Sequence, residues 1–276
     1  MQRIRLRSNQ QAIDRAVHFG GIPFAGIAPC STTFVGLYSE TCQDALSQSF
    51  PAIYNLGPVD PHEISELLQP FLENGPTTAL TESQFHQLST YLDLLLRWNS
   101  RINLTAIRQP KQVLTRHFGE SLFTARRLFS AAPGLSEHPT VVDVGSGAGF
   151  PGLPIKIWVP SIHLTLIESN QKKATFLREV IRALHMNSAE VFVGRAEDSR
   201  GQASIVTLRA VEQFERSLPI AAQIVTPNGR LALLVGTAQV PRARELVPNF
   251  TWQYPFPVPL SANRVLLIGT KQEESS

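Results

Sequence analysis

The stretch TVVDVGSGAGF, residues 140–150, constrains this chain more than any other. An apolar run of strand composition leads into glycines at 145, 147 and 149, and a second apolar run, Leu153 to Val159, follows with helical character. Glycines at such a turn let the backbone approach a ligand with no Cβ in the way. The spacing excludes two ligand classes. A dinucleotide turn needs its third glycine where Phe150 stands, and a triphosphate loop needs a Lys-Ser/Thr pair that does not follow here.

The rest of the C-terminal half repeats the alternation. Residues 140–145, 163–169, 189–194, 203–209, 229–236 and 263–269 read as strands, with helices expected over Leu153–Val159, Gln171–Leu184 and Val211–Val225. That order predicts an α/β domain over 135–276, Rossmann-like, with a mostly parallel sheet covered on both faces. Residues 61–134 read as a helical cap. HEISELLQPFLEN is a short amphipathic segment ahead of Gly75-Pro76. Thr81 is placed to cap a longer helix, on which Leu88, Tyr91, Leu92, Leu95 and Trp98 recur at steps of three and four. A third helix is expected after Pro110, with Val113, Leu114, Phe118, Leu122 and Phe123 facing inward, ending before Pro133-Gly134.

Residues 1–60 are rich in Gly, Pro, Ser and Thr and show no sustained period, so they read as a poorly ordered extension with no apolar face to offset its ordering entropy. The preferred origin is an annotated start placed too far upstream. No methionine stands between Met1 and Met186, so a shorter product needs a non-standard start, for instance at Leu56 or Val59. An Arg- and Ser-rich transit peptide is the alternative.

Composition narrows the class. Cys30 and Cys42 are the only cysteines, which excludes a disulfide framework, a cysteine-based zinc site and a cysteine nucleophile beyond residue 42. No metal site and no membrane span are expected, and a reducing, cytoplasmic setting fits. The net charge of +3 is too small to identify a nucleic-acid partner, so its distribution matters more. Arg97, Arg101, Arg108, Lys111, Arg116, Arg126 and Arg127 crowd residues 97–130, where Glu120 is the only acid. For any single arginine a solvated helix face is the plainer reading. As a group they suit a phosphate track, with Arg97, Arg101 and Arg116 the RNA-binding candidates.

The D-x-G-x-G-x-G run from Asp143 resembles the first motif of Rossmann-like methyltransferases, and that resemblance lays Gly145 and Gly147 against S-adenosylmethionine. Glu168 ends the next strand about twenty residues on, where such folds place an acid on the ribose hydroxyls. The competing reading is an ordinary charge at a helix N-terminus. More specifically, WNSRINLTAI (98–107), RHFGES (116–121), VVDVGSGAGFPGLPI (141–155), LTLIES (164–169), KKATFLREV (172–180) and GRAED (194–198) are similar to the glucose-inhibited division protein B family, from about Leu67 to the end. Those enzymes methylate N7 of a guanine in small-subunit (16S) ribosomal RNA.

The resemblance implies that Gly145 and Phe150 contact the cofactor and that Ala196 and Glu197 hold the adenosine. It also implies that Arg209 lines the cofactor or acceptor site, and that His117, Glu120 and Ser121 approach the same cleft. The chain departs from the family at Leu208, usually serine, at Val235, usually lysine, and at Glu120, usually aspartate. The partner implied is ribosomal RNA or the small ribosomal subunit.

Guanine N7 carries an in-plane lone pair and loses no proton on methylation, so this chemistry needs placement rather than a general base. The motifs of amino and ring-carbon methyltransferases are missing after the fourth strand. A methyltransferase of the same fold acting on another RNA, a protein or a small molecule, and a non-catalytic cofactor-binding scaffold, are the competing functions.

Overall fold

The computed structural model describes residues 61–72, 80–129, 136–209 and 213–273, which belong to one compact unit. The expectations for residues 1–60, for Gly75-Pro76 and for Pro133-Gly134 lie outside the described residues.

Helix α1, Pro61–Leu72, starts on a proline whose missing N–H costs nothing in a first turn, and it buries Ile64, Leu68 and Phe71. Helix α2, Glu82–Ile102, begins at Thr81 as expected. The Thr81 hydroxyl accepts from the Gln84 amide at 3.2 Å, and the Gln84 side chain accepts from the Thr81 amide at 2.8 Å. The helix stops at Asn103, which takes left-handed backbone at φ 49°. Its Leu88, Tyr91, Leu92 and Leu95 are buried, and Trp98 is half-buried with its ring 5.7 Å from that of Phe176.

The single helix expected after Pro110 is composite. Helix α3, Pro110–Val113, passes into a π-helical turn, Leu114–Gly119, before α4, Glu120–Phe129. Val113, Leu114, Phe118, Leu122 and Phe123 are all buried.

The sheet follows in alternation with helices. Its strands are β1 (Thr140–Val144), β2 (His163–Glu168), β3 (Ala189–Val193), β4 (Ala203–Arg209), β5 (Val225–Gly236), β6 (Phe250–Trp252), β7 (Phe256–Pro257) and β8 (Arg264–Lys271). Between them lie α5 (Gly152–Trp158), α6 (Gln171–Ala183), α7 (Phe214–Ile224) and α8 (Val240–Leu246). The order is β3-β2-β1-β4-β5-β8-β6, with β7 beside β8. The first five strands are parallel, and β8 runs antiparallel to β5. The mostly parallel Rossmann-like fold is therefore as expected. Strand order reverses between β1 and β4, which opens a crevice at their carboxyl ends.

The alternation along the strands decides which face each helix covers. Val141, Leu164, Leu166 and Leu266 join α1, α2, the π turn, α4, α5 and α6 in one core. Val142, Val206, Leu231 and Leu267 face the other way, onto α7 and α8. The N-terminal helices thus complete one layer of the sheet rather than standing clear of it. Strands β6 and β7 escaped the sequence reading because they have three and two residues, too few to show a period, and the seven-residue α8 was not read either.

Candidate functional site

The glycine turn is held from behind by Asp143. This buried carboxylate accepts from the Thr207 hydroxyl on β4 at 2.7 Å and from the Gly152 amide at the start of α5 at 3.2 Å. A Cβ on Gly152 would sit 2.9 Å from Asp143 Oδ2, so only glycine lets that amide in. Burial pushes the Asp143 carboxyl up to about 6, against the pull of these hydrogen bonds.

The three glycines of the turn have different tasks. All take positive φ: 68° at Gly145, 57° at Gly147 and 91° at Gly149. Gly149 is packed from inside, where a Cβ would lie 2.5 Å from Tyr91 Oη, and that hydroxyl donates to the Ala148 carbonyl. Gly147 is open, with nothing closer than 3.8 Å to a Cβ built there, and its amide donates to Glu168 Oε2 at 2.8 Å. Glu168 Oε1 accepts from the Asn170 amide at 2.7 Å, and Asn170 itself caps α6. Glu168 is therefore buried and tied to the loop rather than being a loose helix-end charge.

A cleft of about 590 Å³ opens in front of this turn. It is lined by every cofactor residue expected from the sequence: Gly145, Gly147, Phe150, Glu168, Ala196 and Glu197, with Arg209. On its far wall the short turn Ala196–Asp198 exposes Glu197, which pairs with Arg216 of α7 at 2.9 Å. A backbone hydrogen bond, seconded by Arg216, holds the Glu197 carboxyl below its ordinary range.

The other end of the cleft is built on the π turn. His117 stacks on Phe150 with ring centroids 4.8 Å apart, and its Nε2 lies 2.8 Å from the Thr105 hydroxyl. Tyr91 also stacks on Phe150, at 5.3 Å. Burial first, then Arg209, Arg116 and Arg264, push the His117 imidazole down to about 3, so it is neutral at physiological pH. Arg209 leaves the tip of β4 and donates to the Arg116 carbonyl at 2.5 Å and to Glu120 Oε2 at 3.2 Å. Its side chain is 11% exposed, so the pair is not a weak surface ion pair. Burial raises the pKa of Glu120 in spite of the guanidinium groups around it.

Some expectations land elsewhere. Of His117, Glu120 and Ser121, only His117 lines the cleft. Glu120 lies buried behind Arg209, and the Ser121 hydroxyl donates back to the His117 carbonyl at 2.6 Å. Among the cations of residues 97–130, Arg126 is buried and donates to the Phe71 carbonyl, Arg127 lies over the rings of Phe123 and Phe256, and Lys111 pairs with Glu63. Arg126 and Arg127 thus face protein rather than an open track, whereas Lys111 is exposed with its charge paired. Arg97 and Arg101 are exposed on α2, and Arg116 is exposed beside Glu120. Sequence reasoning missed Arg264, which reaches Glu120 across 144 positions of chain, along with Arg216, Thr105 and Lys173. No local spacing signals such contacts; they exist only once the strands are ordered.

A family model described as GidB, rRNA small subunit methyltransferase G, matches residues 84–254. That span contains every residue lining the cleft, from Leu104 to Ile220. The chain belongs to the GidB family. Similar proteins include the ribosomal RNA small subunit methyltransferase G of Chloroflexus aggregans, 42% identical over 164 residues, covering 55% of this chain and 66% of that protein. The same-named protein of Alkaliphilus metalliredigens is 41% identical over 201 residues, covering 71% of this chain and 76% of its own. Among solved structures, the ribosomal protein L11 methylase of Lactobacillus delbrueckii subsp. bulgaricus has a TM-score of 0.48 at 12% identity, covering 58% of this chain and 80% of that one. The M. jannaschii TYW2 complex with AdoMet has a TM-score of 0.47 at 15% identity, covering 57% and 76%.

As a GidB-family protein the chain is a methyltransferase that uses S-adenosylmethionine. The residues present fit that cofactor. The cleft has the volume of a small-ligand site. Gly147 leaves open backbone at its floor, and each Glu168 oxygen accepts one amide here, which leaves lone pairs for a vicinal diol. Among the described residues no group of three or more His, Cys, Asp or Glu side chains is placed to hold a metal, and no helix is long and apolar enough to cross a membrane.

Proposed function

We propose that this enzyme transfers a methyl group from S-adenosylmethionine to N7 of a guanine in small-subunit ribosomal RNA, in the cytoplasm. One observation carries the reading: the family match spans every residue that lines the cleft, from the glycine turn to Arg209. When bound, the cofactor supplies an electrophilic methyl on a sulfonium. Gly145, Gly147 and Glu168 would hold its methionine and ribose parts, and Ala196 and Glu197 its adenine. Phe150 would contact the cofactor beside the glycine turn, and Arg209 would line the side from which the acceptor base enters.

The protonation states agree with a transfer that removes no proton. His117, the only imidazole lining the cleft among the described residues, is held neutral with a conjugate acid near 3, which makes it a poor base. The enzyme's task is then alignment of the base with the methyl group. Arg97, Arg101 and Arg116 supply positive charge for the RNA backbone, and residues 1–60 are read as an extension outside the catalytic unit. The test is transfer of labelled methyl from S-adenosylmethionine to small-subunit RNA, naked and in the particle, with the modified nucleotide mapped. N7-methylguanine at one position supports the reading; label in protein or small molecules alone rejects it.

A further inference from the structure

Three guanidinium groups meet one carboxylate at the acceptor end of the cleft. Glu120 is 1% exposed. Its Oε2 accepts from Arg209 at 3.2 Å, its Oε1 accepts from Arg264, and Arg116 Nε lies 3.5 Å from Oε1. Three cations on one anion leave two positive charges in excess at the cluster, offset in part by Asp143, which acts on Arg209 at longer range, and among the described residues no other carboxylate forms an ion pair with Arg116, Arg209 or Arg264. The side chains are 49%, 11% and 22% exposed respectively, so part of that excess is held away from water, where charge is costly unless it is paired.

The three arginines are not equivalent. Arg209 is the most enclosed, with one terminal nitrogen shared between the Arg116 carbonyl and Glu120 and its side chain only 11% exposed. Arg264 opens β8 opposite Gly236 and uses Nε on Ser261 and one terminal nitrogen on Glu120. Arg116 contributes only Nε to Glu120. A guanidinium has five N–H donors, so Arg116 and Arg264 keep donors in hand, in the planar fork that matches phosphate oxygens. An anion there would also matter for the reaction, because uncompensated positive charge opposes movement of positive charge onto the base.

We infer that Arg116 and Arg264 form a binding site for a backbone phosphate of the acceptor strand, close to the nucleotide that is methylated. Glu120 is the positioning residue: it holds both arginines to Arg209 and so ties the phosphate to the cleft. This inference rests on the reading that the acceptor is RNA.

The experiment uses the full chain with S-adenosylmethionine present and compares wild type, Arg264→Ala and Arg264→Lys. For Arg264→Ala, KM for the small-subunit substrate should rise by about tenfold, the scale of one lost charge-assisted hydrogen bond. The slope of log affinity against log salt should fall by about one. Cofactor affinity by calorimetry should stay at the wild-type value, and Arg264→Lys should recover the salt slope. Unchanged KM and slope in folded Arg264→Ala would overturn the site, as would a matching loss of cofactor affinity. A second arm needs no RNA. Inorganic phosphate is titrated while the arginine Nε–H resonances are followed by NMR. Those of Arg116 and Arg264 should shift in wild type, and that of Arg116 should no longer shift in Arg264→Ala. No shift in wild type overturns the phosphate site even if RNA is methylated. A shift in a wild-type enzyme that methylates no RNA keeps the anion site and rejects the RNA reading instead.

Discussion

Glu168 does two jobs with one carboxylate: it pins the Gly147 amide and presents its remaining lone pairs to the cleft. Glu168→Ala should weaken S-adenosylmethionine binding by at least about tenfold, since hydrogen bonds to a charged group contribute about 1.5–3 kcal/mol each. Calorimetry on the folded variant checks this, and wild-type affinity would return Glu168 to a purely structural role. Asp143 makes a prediction in pH. Its folded pKa, about 6, lies above the ordinary 3.8, so its contribution to stability is fully present below about pH 3.8 and is lost as pH rises through 6. The gap corresponds to about 3 kcal/mol. Asp143→Asn cannot ionise and can still accept a hydrogen bond from Thr207 or Gly152. Urea unfolding should therefore show the variant gaining on wild type between roughly pH 4 and 7; a difference that stays constant with pH would contradict the burial-driven shift.

At the scale of elements, the π turn Leu114–Gly119 organises the arginine end of the cleft, the proposed acceptor side. It exposes the Arg116 carbonyl to Arg209 and sets His117 against Phe150. Gly119 closes the turn against α1, where an added Cβ would lie 2.5 Å from Cδ2 of the Phe71 ring. Gly119→Ala should destabilise the protein by about 1–3 kcal/mol, the usual cost of overpacking, despite alanine's better helix propensity. A midpoint of urea unfolding equal to wild type would show that Phe71 yields freely. The turn also shows where sequence legibility ends. Thr81 with Gln84, and the run Val113, Leu114, Phe118, Leu122 and Phe123, announce helices through local capping and spacing. A π turn shifts that spacing by one residue in a single turn, which the apolar pattern absorbs. The strands were legible because each alternates or runs apolar over five residues or more, whereas Phe250–Trp252 and Phe256–Pro257 are too short.

Over the whole molecule, the candidate site divides by the range of its contacts. The cofactor half was legible because Gly145, Gly147, Phe150 and Glu168 sit on one strand–turn–helix–strand unit with fixed spacing. The proposed acceptor half was only half legible, because Glu120, Arg209 and Arg264 lie far apart in sequence and meet only when β4 and β8 flank β5. The surface follows the same division: Arg126 and Arg127 turn inward, and Arg97 and Arg101 remain outside. Arg97→Glu with Arg101→Glu should weaken RNA binding and lower its salt slope by up to about two, with cofactor affinity unchanged. A salt series on the double variant checks this, and an unaltered slope would move the RNA track off α2. The central claim, methylation of small-subunit RNA at guanine N7, is tested most directly by mass spectrometry of that RNA from cells with and without this gene. The account predicts one N7-methylguanosine that is present with the gene and lost without it; an identical methylation pattern in both would contradict it.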